Sequence, residues 1–140
     1  MAQRCRVLFL CTHNSARSQM AEGLLRYLAG DRFEAYSAGT EATSIRPLAI
    51  RAMEDIGIDI SSQGSKTLDR YLSEPFDYVI TVCDEANEVC PFFPRASTRL
   101  HWSLTDPSQA EGSEQERLVV FRRVRDELRD RIAQELITRR

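Results

Sequence analysis

The sequence lacks any long hydrophobic run and any large excess of charge of one sign. The apolar run that begins at Val7 is too short for a secretory signal, and no small-residue cleavage site follows it. No stretch approaches the roughly 20 apolar residues that cross a bilayer as a helix. The formal net charge is −2, which argues against nucleic acid as the main partner. We therefore expect a cytoplasmic protein that binds neither membranes nor nucleic acid.

Internal repeats and low-complexity segments are also absent from the chain. Its apolar, charged and glycine-plus-proline contents are ordinary for a globular protein, which excludes disordered and fibrous classes. A length of 140 residues suits one compact core, and no segment has the composition of a linker. We predict a single domain that spans residues 1–140 and acts as a monomer.

Cysteine is scarce, and the four that occur are Cys5, Cys11, Cys83 and Cys90. A reducing cytoplasm makes structural disulfides unexpected. Six residues separate Cys83 from Cys90, which is too wide for a zinc knuckle, and no nearby histidine completes a metal site. The sequence therefore predicts free or redox-active thiols, with no metal and no cofactor.

The hydrophobic pattern alternates between strands and helices. Short runs rich in branched and aromatic residues predict strands at 6–10, 33–37, 77–82 and 99–104. Helical spacing predicts a first helix that Ser18 caps and that buries Met20, Leu24 and Leu28. It also predicts a second helix at 47–57, a weaker helical segment at 67–72 and a long amphipathic helix from about Ser113. This alternation predicts an α/β fold whose parallel sheet is covered on both faces.

Ligands of such sheets bind beyond the carboxyl ends of the strands. Cys11 follows the first predicted strand, and Cys83 follows the third. The residues just after Leu104 follow the fourth. We therefore expect these three positions to lie along one edge of the sheet, whereas Cys5 lies far from it.

The loop after the first strand has the composition of an anion-binding site. Its backbone N–H groups can surround one anion, and the positive end of the following helix points to the same place. The residues predicted to bind a tetrahedral oxyanion are Thr12, His13, Asn14, Ser15, Ala16, Arg17 and Ser18. Arg17 offers a planar fork that matches two oxygens of such an anion.

Cys11 stands at the start of the same loop, where the positive field favours its thiolate. A thiolate there is a nucleophile toward the central atom of the anion. Ser18 and Asn14 are expected to hold the sulfur and the loop by hydrogen bonds. The alternative is that Cys11 is a buried core cysteine and that Arg17 is a solvated helix residue.

The segment 11–26, CTHNSARSQMAEGLLR, resembles the phosphate-binding loop and first helix of the low-molecular-weight protein tyrosine phosphatase fold. It is more similar still to the thioredoxin-coupled arsenate reductases built on that fold. The resemblance continues through YSAGT, GIDIS, DYVITVCDEANEVCP, HWSLTDPS and the closing helix. It implies a four-stranded parallel sheet with helices on both faces.

The resemblance to the reductases implies a relay of three cysteines. Cys11 would attack arsenate, for which phosphate and sulfate are analogues, and Asp106 would assist the loss of water. Cys83 would then attack the Cys11 sulfur and release arsenite. Cys90 would attack Cys83, and thioredoxin or glutaredoxin would reduce the resulting disulfide. The segment 84–89 would have to rearrange; alternatively, both distal cysteines are inert packing residues.

Without the resemblance, Asp106 is only weak evidence for a general acid, because an Asp-Pro pair such as Asp106-Pro107 is also common in ordinary turns. The resemblance implies that Asp106 corresponds to the aspartate that protonates the leaving oxygen in phosphatases. Those enzymes usually carry a tyrosine after the proline, where this chain has Ser108. That difference favours a small inorganic substrate over an aryl phosphate.

Some family members bind a potassium ion near the loop, and Asn14, Glu22 and Ser37 resemble part of that site. Gly64 and Lys66 stand where further oxygen ligands are expected. Because a lysine there would neutralise Glu22, we predict no dedicated cation. His13 replaces a glycine of some members, and we interpret it as a solvated loop residue.

Three functions therefore compete at this stage. The first is thioredoxin-dependent arsenate reduction, and the second is hydrolysis of phosphotyrosine or small aryl phosphates through a Cys11 phosphoenzyme. The third is an anion-binding redox sensor without turnover. Arsenate and phosphate share shape and charge, so only the distal thiols Cys83 and Cys90 distinguish the first two.

Overall fold

The protein is built around one parallel sheet. The computed structural model describes residues 4–84 and 90–138. Its four strands are β1 (Cys5–Cys11), β2 (Phe33–Gly39), β3 (Phe76–Thr81) and β4 (Ala96–His101). They are all parallel and lie in the order β2-β1-β3-β4, which confirms the predicted sheet.

The position of each strand in the sheet follows from its composition. Residues 7–11 of β1 are all buried, as expected for a central strand covered on both faces. β4 lies at an edge and is mostly exposed. Its predicted bounds, 99–104, were wrong at both ends, because the sequence ASTRLH lacks the apolar run that marks a central strand. The buried Trp102 and Leu104 belong to the segment that follows.

In the described ranges, three α-helices pack around one large core cluster. They are α1 (Arg17–Ala29), α2 (Pro47–Glu54) and α3 (Glu114–Ile132), and a π-helical turn, Ala133–Ile137, continues α3. The predicted start of α3 is confirmed, since Ser113 and Glu116 form a capping box at its N-terminus. Its predicted apolar stripe is buried throughout: Phe121, Val124, Leu128, Ile132 and Leu136.

Two details of α1 differ from the sequence prediction. Leu28 was predicted to be buried but is 41% exposed, whereas Leu25 is fully buried. The prediction that Ser18 caps the helix was also wrong. The N-cap position is Ala16, and no side chain caps the helix among the residues described. The Ser18 hydroxyl is instead directed to the sulfur of Cys11.

The sheet separates two clusters of unequal size. Alternate residues of β1, Val7 and Phe9, face the α-helices. Leu8 and Leu10 face a smaller aromatic cluster. In the described part of the chain, the cover on this second face is a 3₁₀ helix, Leu68–Tyr71, together with Phe93. The weaker helical segment predicted at 67–72 corresponds to this 3₁₀ helix.

No helix within 4–84 or 90–138 combines the length and the apolar character that a membrane span requires.

Candidate active site

In the loop that follows β1, each carbonyl oxygen from residue 12 to 16 accepts a hydrogen bond from a group outside the loop. Thr12 O accepts from Thr40 N at 2.9 Å, and Ser15 O accepts from Arg46 N at 2.9 Å. The other three carbonyl oxygens of the loop also accept hydrogen bonds. His13 O accepts from the hydroxyls of Thr43 and Ser65, Asn14 O accepts from the Gln19 side chain, and Ala16 O accepts from Met20 N. Because the N–H of a peptide unit points opposite to its carbonyl, the N–H groups of this loop point inward. This is the arrangement that anion binding requires, and we call residues 12–18 the cradle.

Gly39 allows the loop to pass this close to the sheet. It pairs in register with Cys11 at the end of β2. A Cβ atom at position 39 would lie 2.6 Å from Thr12 O and 2.8 Å from Asn14 N, so no larger residue fits. Gly39 is a site residue that the sequence did not identify. Its signals were the motif YSAGT, which contains it, and its place two residues after the strand predicted at 33–37.

Asn14 organises the interior of the loop. It is fully buried and adopts a left-handed conformation with φ of 50°, which asparagine tolerates better than most residues. Its Oδ1 accepts from Lys66 N at 2.7 Å and from Gln19 Nε2 at 2.9 Å. Its Nδ2 donates to Ser18 Oγ at 2.8 Å. Asn14 thus connects the loop, α1 and the segment that carries Lys66.

Ser18 connects Asn14 to Cys11, the candidate nucleophile. Its Oγ lies 2.8 Å from the Sγ of Cys11, which is 2% exposed. Because Ser18 Oγ accepts a hydrogen bond from Asn14, its own hydrogen is available to donate toward the sulfur. A hydroxyl that donates to sulfur stabilises the thiolate over the thiol.

Arg17 begins α1 and is 3% exposed. Its Nη1 donates to Leu104 O at 3.2 Å, and its Nη2 lies 3.6 Å from Oδ2 of Asp106. These contacts fix the guanidinium beside the loop, at the uncapped and therefore positive end of α1. The solvated alternative for Arg17 does not hold, since the side chain is buried.

Asp106 is held in a defined orientation at the same edge of the sheet. It caps the 3₁₀ helix Pro107–Gln109, and its Oδ1 accepts from Ser108 N at 2.9 Å. Its Oδ2 faces Arg17, and the side chain is 14% exposed. One carboxyl oxygen is therefore engaged in the turn, and the other lies near the Arg17 guanidinium. The turn and the catalytic interpretations of Asp106 are compatible, because the turn orients the carboxyl.

Cys83 is buried just beyond β3. Its Sγ lies 3.9 Å from Leu10 O, one residue from Cys11. Burial raises the pKa of the Cys83 thiol strongly, and a hydrogen bond with Cys90 raises it further. Cys11 adds to this rise and Arg17 opposes it, so Cys83 interacts electrostatically with both. In this state Cys83 is a protonated thiol.

Cys90 is half-buried, and all four cysteines are free thiols. It borders a cavity of about 310 Å³ that is also lined by Phe92, Arg99 and His101. The structure therefore brings Cys83 together with both Cys11 and Cys90. Cys5 lies at the opposite end of β1, as expected.

Glu22 lies behind the loop, where the potassium site was considered. It is 5% exposed, accepts from Ser37 Oγ and Arg26 Nη2, and lies 3.7 Å from Lys66 Nζ. The Lys66 ammonium also donates to Gly64 O. Burial lowers the pKa of Lys66, and Glu22 partly opposes this. In the ranges 4–84 and 90–138 no group of three His, Cys, Asp or Glu side chains could hold a metal ion.

His13 is a partly exposed residue of the loop. Its Nε2 lies 3.1 Å from Oε1 of Glu41, and its side chain is 45% exposed. Gln19, by contrast, is fully buried and donates to the loop and to Gly64 O. Sequence reasoning missed Gln19, because a single polar residue on a helix carries no signal of its distant partners.

Comparison with known proteins connects this site to a family. The profile of the low molecular weight phosphotyrosine protein phosphatases matches residues 6–139. An arsenate reductase of Halalkalibacterium halodurans is 51% identical over 90% of this chain and 91% of its own length. An arsenate reductase of Bacillus subtilis is 45% identical over the same shares.

Solved structures agree with these sequence matches. An arsenate reductase in its phosphate-binding state has a TM-score of 0.82 and 34% identity, covering 96% of this chain and 98% of its own. A thioredoxin-dependent arsenate reductase of Corynebacterium glutamicum has a TM-score of 0.65 and 33% identity, covering 92% of this chain and 60% of its own. The protein therefore belongs to the low molecular weight phosphotyrosine protein phosphatase family, in the branch whose curated relatives are arsenate reductases.

Proposed function

We propose that this protein reduces arsenate to arsenite through Cys11, Cys83 and Cys90 in turn. The observation that carries the proposal is the position of Cys83, whose Sγ lies 3.9 Å from the carbonyl oxygen of Leu10, the residue before Cys11, and which hydrogen-bonds with Cys90. Of the three thiols, hydrolysis would need only Cys11. Curated relatives named arsenate reductase, at 45–51% identity, support the same function.

The first step uses the cradle. The inward N–H groups and Arg17 bind the arsenate oxygens, as they would those of phosphate or sulfate. The Cys11 thiolate attacks arsenic, a sulfur–arsenic bond forms, and one oxygen leaves as water with a proton from Asp106. Arsenic remains in its +5 state. The cradle residues have the same role here as in any tetrahedral oxyanion site.

The next two steps are thiol exchanges. Cys83, after losing its proton, attacks the sulfur of Cys11; a disulfide forms, and the sulfur–arsenic electron pair stays on arsenic, which leaves as arsenite. Cys90 then attacks Cys83, forming the Cys83–Cys90 disulfide and releasing the Cys11 thiolate. Two thiols are thus oxidised to one disulfide while arsenate loses one oxygen as water.

A dithiol reductant must restore Cys83 and Cys90. We propose thioredoxin or a glutaredoxin of a reducing cytoplasm for this role. Similarity to the thioredoxin-dependent enzyme of Corynebacterium glutamicum supports the first of these. The half-buried position of Cys90 beside a cavity leaves it the more accessible sulfur of the pair, since Cys83 is fully buried.

Single-cysteine variants test the order of the relay. After arsenate is added to the reduced protein, Cys90→Ser is expected to release one equivalent of arsenite and stop with Cys11 joined to Cys83. Cys83→Ser is expected to release none. Peptide mapping after acid quenching identifies the disulfides. A Cys83→Ser variant that still releases stoichiometric arsenite would overturn the proposed order.

Phosphomonoester hydrolysis is a second candidate, because Cys11, Arg17 and Asp106 alone suffice for it. A low molecular weight protein tyrosine phosphatase from T. tengcongensis shares the fold, with a TM-score of 0.72 and 26% identity over 97% of this chain. Steady hydrolysis of an aryl phosphate by the double variant Cys83→Ser/Cys90→Ser, with no arsenite formed by the wild type, would favour this candidate. An anion-binding sensor would show neither activity.

A further inference from the structure

Arg99 on β4 holds the chain segment that follows Cys90. Its Nε and Nη2 donate to Phe93 O at 3.2 and 3.0 Å, and Nη2 also donates to Pro94 O at 2.7 Å. The two nitrogens therefore bind two successive carbonyls. The guanidinium offers these donors in a fixed planar fork, which the single ammonium of a lysine would not reproduce fully.

Arg99 also contacts this segment through the ring of Phe92. Its guanidinium carbon lies 4.8 Å from the ring centroid, although Phe92 is 69% exposed. Phe93, the next residue, is 1% exposed and packs edge-on against Phe76 at 5.6 Å between centroids. The segment is therefore fixed at two points, by Phe93 in the aromatic cluster and by Arg99 at the sheet edge.

This attachment bears on Cys90, which lies two residues before Phe92. A disulfide requires Cα atoms about 4.4–6.8 Å apart, so the Cys90 thiol must be kept close to Cys83. The two thiols already share a hydrogen bond. A misplacement of about 1 Å at a reacting group costs roughly 100-fold in rate, because the effective concentration of the attacking group falls.

We propose that Arg99 is a positioning residue for Cys90, and this inference rests on the proposed relay. Arg99 acts in the last internal step, where the Cys90 thiolate attacks the Cys83 sulfur. The Cys83–Cys90 bond forms, the Cys11–Cys83 bond breaks, and its electron pair leaves with Cys11 as a thiolate. The proton of Cys90 goes to solvent, and the count of disulfides does not change. Arg99 has no role in the attack on arsenic.

The kinetic test follows the two disulfides after one equivalent of arsenate is added to reduced protein. We expect Arg99→Gln to slow conversion of the Cys11–Cys83 disulfide to Cys83–Cys90 by about 10- to 100-fold, as expected for a displaced reacting group. Release of arsenite should keep its wild-type rate. Arg99→Lys should recover part of the loss. Arg95→Gln is the matched control, since Arg95 is an exposed residue of the same segment and its side chain has no bonded partner among the residues described.

An equilibrium test does not depend on arsenate. In glutathione redox buffers, Arg99→Gln should lower the equilibrium constant for the Cys83–Cys90 disulfide about tenfold, which is roughly 30 mV for a two-electron couple. Arg95→Gln should leave it unchanged. If arsenate produces no disulfide in the wild type but this shift is found, the proposed function fails and the positioning role of Arg99 stands.

Two results would overturn the positioning role. One is an Arg99→Gln variant that converts the disulfide and equilibrates with glutathione as the wild type does. The other is a variant in which arsenite release slows by the same factor as disulfide conversion and Arg99→Lys rescues neither. That pattern would mean that Arg99 only stabilises the fold.

Discussion

The surroundings of Cys11 and of Cys90 are built in opposite ways. Around Cys11, each loop carbonyl from residue 12 to 16 has a partner, and Asn14, Ser18 and Gln19 are fully buried. Around Cys90, the neighbouring Phe92 is exposed and a cavity of about 310 Å³ opens beside the thiol. The segment that follows Cys90 is held by Arg99 and by the packing of Phe93.

This difference matches what each sulfur must do. An anion is stabilised best by donors that are already in place, because no reorganisation is then needed during the reaction. A thiol that exchanges partners must approach one sulfur and then present itself to another protein. We infer that rigidity around Cys11 and access around Cys90 serve two stages of one reaction. Four changes test this contrast.

The largest effect is expected from the nucleophile itself. Cys11→Ser should lower both arsenite release and aryl phosphate hydrolysis by more than about 1,000-fold, because a serine hydroxyl is a far weaker nucleophile than a thiolate. Arsenite release and aryl phosphate turnover are measured on the same preparation. Cys5→Ser is the control at the other end of β1 and should retain full activity. Retention of either activity in Cys11→Ser would show that the buried thiol is not the nucleophile.

Asp106→Asn should lower the rate of the first step by about 100- to 10,000-fold, the usual range for removal of a general acid. The amide can still accept from Ser108 N, so the turn should survive. Rapid-quench measurement of arsenite release gives the rate, and a thermal melt checks the fold. A tenfold or smaller loss at every pH would assign the proton to another donor.

Gly39→Ala should disorganise the cradle. The added Cβ would lie 2.6–2.8 Å from three backbone atoms, and backbone cannot shift as easily as a side chain. We expect about 1–3 kcal/mol loss of stability, which is typical of overpacking, and weaker binding of phosphate. Gly64→Ala is the control, because a Cβ there meets nothing within 4 Å. Equal phosphate affinity in both variants by calorimetry would remove Gly39 from the site.

The smallest effect concerns the pH dependence of folding. Burial raises the pKa of Cys83 above its ordinary value of about 9, so the folded chain keeps this proton where the unfolded chain loses it. The free energy of unfolding should therefore fall as pH rises above about 9, by at most about 1.4 kcal/mol per pH unit from this group. Cys83→Ala should show a shallower slope in urea denaturation. Identical slopes would contradict the burial of the thiol.

The sequence alone predicted the elements whose composition is set by burial. The apolar run of β1 and the helical stripe of α3 are confirmed, since a covered strand and an amphipathic helix each impose their own period. The position of the loop between β1 and α1 was also predicted, because its small polar residues and Arg17 are the types that an anion-binding loop uses.

What the sequence could not predict depends on partners distant along the chain. Gln19 reaches Gly64 O, and Arg99 reaches back to Phe93 and Pro94, contacts that no local pattern encodes. Ser18 was assigned to a helix cap because serine favours that position, but tertiary structure directs its hydroxyl to Cys11. The bounds of β4 were missed for a related reason, since an edge strand is not required to be apolar.

In the proposed relay, three thiols and one anion exchange two electrons within this chain. The relay is tested most directly by mixing the fully reduced wild-type protein with excess arsenate and no reductant, then measuring arsenite and mapping disulfides together. We expect one equivalent of arsenite per chain, a disulfide between Cys83 and Cys90, and free thiols at Cys5 and Cys11. Four free thiols with no arsenite formed would contradict it.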